Sequence, residues 1–296
     1  MAKREPGTPP VIGVIGGSGV YDIAGLTDVE WRRLDSPFGR PSDELLFGRL
    51  NGQQLVFLPR HGRGHAHSPS SIDYRANIDA LKRAGVTEIL SVSAVGSLKA
   101  ELPPGSFVLV DQFIDRTFAR EKSFFGEGLV AHVSMAHPTC HRLGRALAAS
   151  CAELGIAHQV GGVYLTMEGP QFSTKAESAL YRSWGCDVIG MTNMPEAKLA
   201  REAELCYATV AMVTDYDCWH PEHDHVTVDR IVAVLLDNAE RARRLVAGTV
   251  PKLAGRAQAC DAGCHRALDA ALITAPEKRD PARLAMLDAV AGRVLA

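Results

Sequence analysis

The chain has 296 residues, 46% of them hydrophobic and 22% charged, with a formal net charge of −2. That is the make-up of an ordinary globular protein. It has no basic footprint for nucleic acid or anionic membrane, and no run nears the ~20 apolar residues of a membrane span.

The seven cysteines are odd in number and irregularly spaced, which fits reduced thiols in the cytoplasm better than a disulfide framework. The pairing to weigh is a local bridge between Cys260 and Cys264 in CDAGC, and cytosolic disulfides are rare.

The opening MAKREPGTPP runs into prolines without an apolar core, so residues 1–10 are expected to be a disordered leader, not a signal peptide. Val11 to Ile15 predicts a short buried strand, followed at once by Gly16-Gly17-Ser18-Gly19. Such glycines let N–H groups and the Ser18 hydroxyl face an anion. The spacing is neither G-x-G-x-x-G nor a P-loop, so no dinucleotide or nucleoside triphosphate is implied. Glu44–Leu50 and Gln54–Pro59 alternate and meet at Asn51-Gly52, a hairpin signal. The second strand delivers Arg60-His61-Gly62, where arginine offers a two-pronged fork to phosphate and histidine a further donor. His61, Arg63, His65 and His67 crowd the next loop. A three-imidazole zinc site there is disfavoured, because no carboxylate or cysteine nearby completes it and arginines stand among the ligands.

Asp73 to Ala84 shows helical spacing and stops at Gly85. Glu88 to Val92 predicts a buried strand, and the small residues Ser93-Ala94-Val95-Gly96-Ser97-Leu98 after it allow close approach to a ligand. Gly105 to Ile114 predicts one long strand. An irregular loop over 115–130 follows, with Phe124 and Phe125 exposed or docked on a partner. Thr139–Leu154 is a helix closed by Gly155. His158–Met167 is a strand leading into Glu168-Gly169-Pro170-Gln171-Phe172, whose ring serves either the core or a stacked base.

Thr174–Trp184 is a helix opened by a capping box of Thr174 and Glu177. Asp187–Met191 is a strand ending in Thr192, and Pro195–Ala203 a helix with proline in its first turn. The apolar run Cys206–Val213 predicts a buried strand that breaks into Thr214-Asp215-Tyr216-Asp217. In an open α/β sheet, ligands gather beyond such carboxyl ends. Two apart on extended chain, Asp215 and Asp217 project to one side. Two carboxylates in one pocket raise each other's pKa, as burial does. That keeps a carboxylic acid protonated near neutrality, ready to donate. The alternative for a D-x-D pair is a loop cap. Val228–Ala247 is a long amphipathic helix. No repeat or linker interrupts 11–296, so it is read as one α/β domain whose residues 248–296 form a C-terminal helical segment.

Taken together, GGSG at 16–19, RHG at 60–62, SAVGSL at 93–98, EGPQF at 168–172, GMTNMPE at 190–196 and TDYDCW at 214–219 closely resemble the trimeric purine nucleoside phosphorylase family, and within it the methylthioadenosine-cleaving branch. The match covers roughly Val11 to Ala247. It implies a central mixed, twisted β-sheet surrounded by helices and a pentosyltransferase activity. Phosphate would be held by Ser18, Arg60, His61, Ser93, Ala94 and Thr192. The ribose would lie against Met191, and the purine would stack on Phe172 and meet Ser173, Thr214, Asp215 and Asp217. The 5′ substituent would sit near Val228 and Ile231, with His132 arriving from the neighbouring subunit of a homotrimer. Whether trimers pair into hexamers stays open. No metal or organic cofactor is implied, since inorganic phosphate is the co-substrate.

Relatives that prefer 6-oxopurines resemble this chain but carry asparagine at position 215 and histidine at 228. A protonated Asp215 can give O–H to N7 of adenine while accepting from N6–H. An apolar Val228 suits a methylthio group over a hydroxyl. The expected reaction is therefore phosphorolysis of S-methyl-5′-thioadenosine to adenine and 5-methylthioribose 1-phosphate, serving purine and methionine salvage. Adenosine, methylthioinosine and inosine are the alternative substrates. Gln171 in place of arginine and Gly190 in place of asparagine depart from the pattern, and Leu272 or Ile273 is the candidate C-terminal contact of the 5′ pocket.

Overall fold

In the computed structural model, the strand that organises the fold is β5 (Glu88–Ser97), buried along most of its length. It pairs parallel with β1 (Ile12–Gly16), from Ile12 opposite Glu88 to Ile15 opposite Ser91. On its other side it pairs parallel with β11 (Cys206–Asp215), from Cys206 opposite Glu88 to Asp215 opposite Gly96. Where β1 stops, β10 (Val188–Gly190) takes over antiparallel, opposite Ser97 and Gly96. Among the described residues, the stretch 92–95 thus has no strand partner on that flank, and the sheet splits there. The structure describes residues 9–17, 19–221, 228–254 and 260–295, with no side chains described over 228–233. The expected leader through residue 8, Ser18, and the side chains of Val228 and Ile231 lie outside it.

Beyond β1 lies β4 (Gln53–Pro59), parallel to it. The antiparallel β3 (Leu45–Leu50) and β2 (Thr27–Arg32) complete that edge. On the other side β10 leads to the parallel strands β9 (Val163–Thr166) and β7 (Gln112–Asp115). β6 (Phe107–Val110) runs antiparallel to β11 and parallel to β8 (His158–Val160). The result is one mixed eleven-stranded sheet.

Its parallel centre must be covered on both faces, hence the near-continuous apolar runs. Alternate residues serve the two faces. Val14 and Leu90 pack with Leu143, Leu147, Leu245 and Val250 of α2 (His141–Glu153) and α5 (Val228–Leu253). Ile15 and Ile89 pack with Ile78, Leu81, Ala197 and Ala200 of α1 (Tyr74–Arg83) and α4 (Asn193–Glu202).

Four expectations are corrected. The strands expected over 105–114 and 158–167 are each two strands, broken at Asp111 and at Gly161-Gly162. The two breaks form one corner, where Gly162 donates its N–H to Asp111 Oδ1 at 3.0 Å and Gly161 takes φ +81. Strand β2 was not expected; its residues are largely exposed, and its short alternation of Val29 and Trp31 buries neither fully. Phe124 and Phe125 are buried rather than exposed: the Glu202 carboxylate accepts from Phe124 N and Ser123 Oγ, both at 2.7 Å, and draws the loop onto the core. α5 continues past residue 247 to Leu253 with Pro251 inside it.

The C-terminal segment packs Leu268, Leu287 and Val290 into the α1–α4 core and carries the short helices α6 (Pro281–Met286) and α7 (Gly292–Leu295). Among the described residues no helix is long and apolar enough to cross a membrane.

Candidate active site

The split in the sheet brings several strand ends together. Gly16-Gly17 follow β1, Arg60-His61 follow β4, Ser93 and Ala94 lie in the split of β5, Met191-Thr192 follow β10, and Thr214-Asp215 end β11. Ala94 is the exposed residue amid the buried run of β5, as a residue facing an opening in the core must be. Ser93 Oγ lies 3.3 Å from Thr192 Oγ1 and 3.1 Å from the hydroxyl of buried Tyr164. Gly190 makes that cluster possible: a Cβ there would stand 1.9 Å from the Tyr164 hydroxyl. Gly190 is therefore matched to Tyr164.

Arg60 is fully buried, and its fork grips a protein carboxylate. Nε donates to Glu196 Oε2 at 2.8 Å and Nη2 to Oε1 at 3.1 Å. Nη1 donates to the Val92 carbonyl at 2.8 Å and Nη2 to Ser91 Oγ at 2.7 Å. A guanidinium has five N–H groups, so one remains, on Nη1. The expectation of a two-pronged phosphate fork is corrected, because a buried cation needs a counter-charge and its donors satisfied. Glu196, which also accepts from Tyr207 Oη at 2.8 Å, lies in the GMTNMPE motif, but only as a helix residue to sequence reasoning.

The expected donor role of His61 is also corrected. Its Nδ1 sits 2.8 Å from the His67 carbonyl, which can only accept, so Nδ1 carries the hydrogen. Burial pushes the imidazole pKa down to about 4, against the pull of the His67 carbonyl and with help from the Arg60 charge. At neutral pH His61 Nε2 is therefore an acceptor. The ring stacks on His65, with centroids 4.2 Å apart.

Asp215 and Asp217 meet, though not as neighbours on an extended strand. β11 ends at Asp215, and Asp217 has φ +52. The turn lets Asp217 N donate to Asp215 Oδ1 at 2.8 Å, while Thr214 Oγ1 reaches Asp215 Oδ2, also at 2.8 Å. Asp217 is 4% exposed, and its Oδ2 has no hydrogen-bond partner among the described residues. Burial raises the pKa of Asp215, partly offset by the Thr214 hydroxyl and the Asp217 amide. Burial pushes Asp217 up to about 6; the Ser178 hydroxyl opposes this and the Asp215 charge adds to it. Carboxyls this close titrate as a pair. Gly96 leaves them room, since a Cβ there would stand 3.0 Å from Asp215 Oδ1.

Beside the pair, Phe172 stands 48% exposed, so it is a ring available at the surface and not a core residue. Buried Ser173 accepts at its carbonyl from Cys218 Sγ at 3.3 Å. The helix α3 (Lys175–Ser183) starts immediately after it with the expected capping box. Trp219 Nε1 donates to the Ser97 carbonyl at 2.7 Å and ties the turn after β11 to β5.

Sequence reasoning missed Arg120 and Glu168, which support this wall. Buried Arg120 donates from Nη1 to the carbonyls of Met191 and Met194 at 2.6 and 2.7 Å, and from Nη2 to that of Glu168 at 2.6 Å. Burial alone would raise the Glu168 pKa, but Ser70, the amides of Phe118 and Ala119, and Arg120 hold it down at about 2. Arg120 sits in a loop with no pattern to flag it. His132 is exposed, on a ribbon where its N–H donates to the Ala271 carbonyl at 2.8 Å and Ala131 bridges Leu272.

The site thus gathers the hydroxyls of Ser93, Tyr164 and Thr192 in one cluster and, at the end of β11, a carboxyl pair raised in pKa. The chain belongs to the phosphorylase superfamily, whose family model matches residues 11–251. It is 66% identical over 286 residues, 97% of each chain, to the S-methyl-5′-thioadenosine phosphorylase of Rhodospirillum rubrum. It is 52% identical over 285 residues, 95% of this chain and 87% of the relative, to that of Synechocystis sp.. Among solved structures it matches a methylthioadenosine phosphorylase from an antarctic soil metagenomic library with TM-score 0.89 and 46% identity, covering 95% of this chain and 99% of that one. The methylthioadenosine phosphorylase of Schistosoma mansoni in complex with adenine matches with TM-score 0.76 and 37% identity, covering 82% and 91%.

Proposed function

We propose that this enzyme cleaves S-methyl-5′-thioadenosine with inorganic phosphate, releasing adenine and 5-methylthioribose 1-phosphate. The observation that carries the reading is the carboxyl pair Asp215–Asp217, raised in pKa and set opposite Gly96 on β5, three residues along that strand from the Ser93–Thr192 hydroxyl cluster. In this reading hydrogen phosphate lies between the glycine-rich turn with Ser18, the hydroxyls of Ser93 and Thr192, Ala94, and the one remaining N–H of Arg60. Neutral His61 accepts the P–OH hydrogen at Nε2, which leaves charged oxygens free to face the sugar.

Adenine stacks on Phe172, with its edge toward Ser173, Thr214 and the carboxyl pair, and the ribose rests on Met191. As the bond from C1′ to the base breaks, Asp215 gives its proton to N7, so adenine leaves neutral. Phosphate oxygen closes onto C1′ and stabilises the positive charge developing on the sugar. Asp215 regains a proton from solvent and the phosphate ester releases its P–OH proton to solvent, so over one turnover the hydrogen brought by phosphate balances the one adenine carries away.

The 5′ pocket is assigned to Val228 and Ile231, with His132 supplied by the neighbouring subunit of a homotrimer. His132 and Ile273 share one exposed ribbon, so the expected C-terminal contact travels with it. The test is chromatographic identification of products from methylthioadenosine, adenosine and methylthioinosine, each with and without phosphate. Methylthioadenosine should turn over fastest and only with phosphate. Equal release of adenine in phosphate-free buffer would make the enzyme a hydrolase and end this reading.

A further inference from the structure

At the end of β11 opposite the carboxyl pair, the sulfurs of Cys140, Cys206, Cys260 and Cys264 converge, all buried and all within 4.8 Å of one another. Cys140 precedes the first turn of α2, and Cys206 opens β11. Cys260 and Cys264 flank a turn in the C-terminal segment, closed by Gly263 N donating to the Cys260 carbonyl at 3.0 Å. We propose that these four thiolates form a structural zinc site that fastens the C-terminal segment to the body of the enzyme.

Three observations carry this. First, the four sulfurs share one centre. Zinc–sulfur bonds of about 2.3 Å in a tetrahedron place sulfurs about 3.8 Å apart, and Cys140 and Cys260 stand at 3.5 Å. Two disulfides would need only two separate pairs, each closed to about 2.0 Å, and would give no reason for all four to meet. Second, the C-x₃-C spacing of Cys260 and Cys264 is that of the short ligand loop in structural zinc sites. Third, two cations point at the sulfurs. Arg142 Nη2 lies 3.6 Å from Cys206 Sγ while also pairing with Glu88, and Arg201 Nη1 lies 3.5 Å from Cys264 Sγ.

Zinc with four thiolates carries a net charge of about −2, and guanidiniums around it act as compensating hydrogen-bond donors. Arg142 is also held by Glu88, so Arg201 is the cation whose charge, among the described residues, the sulfurs alone account for. All-thiolate donors select zinc among non-redox divalent ions, leaving magnesium and calcium to oxygen ligands. Loading is an exchange of four thiol protons for one ion, with no change in oxidation state. β11 spans ten residues, about 30 Å at ~3.3 Å each. The ion therefore lies far from Asp215 and takes no part in the chemistry. The site also replaces the local Cys260–Cys264 bridge weighed from sequence, since all four cysteines are unbridged.

The experiment is elemental analysis of the full chain, purified without chelators or nickel resin, alongside thiol titration of the denatured protein. About one zinc per chain, four thiols released together with zinc by a mercurial, and the charge-transfer and d–d bands of a tetrahedral thiolate on cobalt exchange are expected. Cys264→Ser should fall below about a tenth of a zinc per chain. Cys151→Ser, at a buried cysteine outside the cluster, should keep its zinc. Should Cys264→Ser fail to fold, the wild-type stoichiometry and cobalt spectrum still decide. Wild type below about a tenth of a zinc per chain, whether its thiols are free or its mass shows two disulfides, overturns the proposal, as does iron in zinc's place.

Discussion

Asp217 shows what the site costs the fold. A buried carboxyl with an unpartnered Oδ2 and a pKa pushed from 3.8 to about 6 is ionised against its surroundings at neutral pH. Its folded-state pKa lies above its unfolded one, so its contribution to stability is full below about pH 4 and is lost as pH rises through about 6. Asp217→Asn should therefore raise the melting temperature at pH 7.5, by ~1–3 kcal/mol of stability, and the gain should vanish toward pH 4. Melts of both proteins across that window check this; a gain unchanged at pH 4 would contradict it. The upward shift of Asp215 should put an alkaline limb in kcat/KM for methylthioadenosine above the ordinary carboxylate range, because the acid must hold its proton in free enzyme.

At this scale the meeting of Asp215 and Asp217 was legible, since two polar residues close an apolar strand. The commitment of Arg60 to Glu196 was not, because the partners stand 136 residues apart and only the folded chain joins them. Glu196→Gln should destabilise the protein by ~3–5 kcal/mol by stranding a buried guanidinium, measurable by denaturant unfolding.

At the scale of elements, helices were legible from their caps, because a cap is a local device. The Thr174–Glu177 box starts α3 where the sequence puts it, and Asp73 accepts from Ala76 N at the start of α1. The strands of the sheet's corner were not legible. β6 and β7 differ in partner, not in pattern: one joins β11 and β8, the other β9. Pairing over such distances leaves no local trace. Gly190 ends β10 against the Tyr164 hydroxyl that lies beside Ser93. Gly190→Ala should push the Tyr164 hydroxyl off Ser93 and raise KM for phosphate about tenfold, with a smaller change in KM for the nucleoside. Steady-state kinetics varying each substrate in turn separates the two; an unchanged KM for phosphate would dissociate this cluster from anion binding.

Across the whole molecule, the split beside β5 explains why the motifs lie so far apart in sequence. Parallel strands β4, β1, β5 and β11 end at one edge, and the handover from β1 to β10 opens the space between them. Conserving that opening requires Ala94, Gly96 and Gly190 to stay small and the two helix layers to hold the strands from both faces. In the proposed reading, phosphorolysis follows from a hydroxyl cluster that receives phosphate and a carboxyl pair that supplies the proton. The most direct test is kcat/KM of Asp215→Asn on methylthioadenosine beside methylthioinosine. The account predicts a loss of ~10²–10⁴-fold on the adenine nucleoside and a much smaller one on the 6-oxo nucleoside, whose base edge an amide can serve. Wild-type turnover of methylthioadenosine by that variant would contradict it.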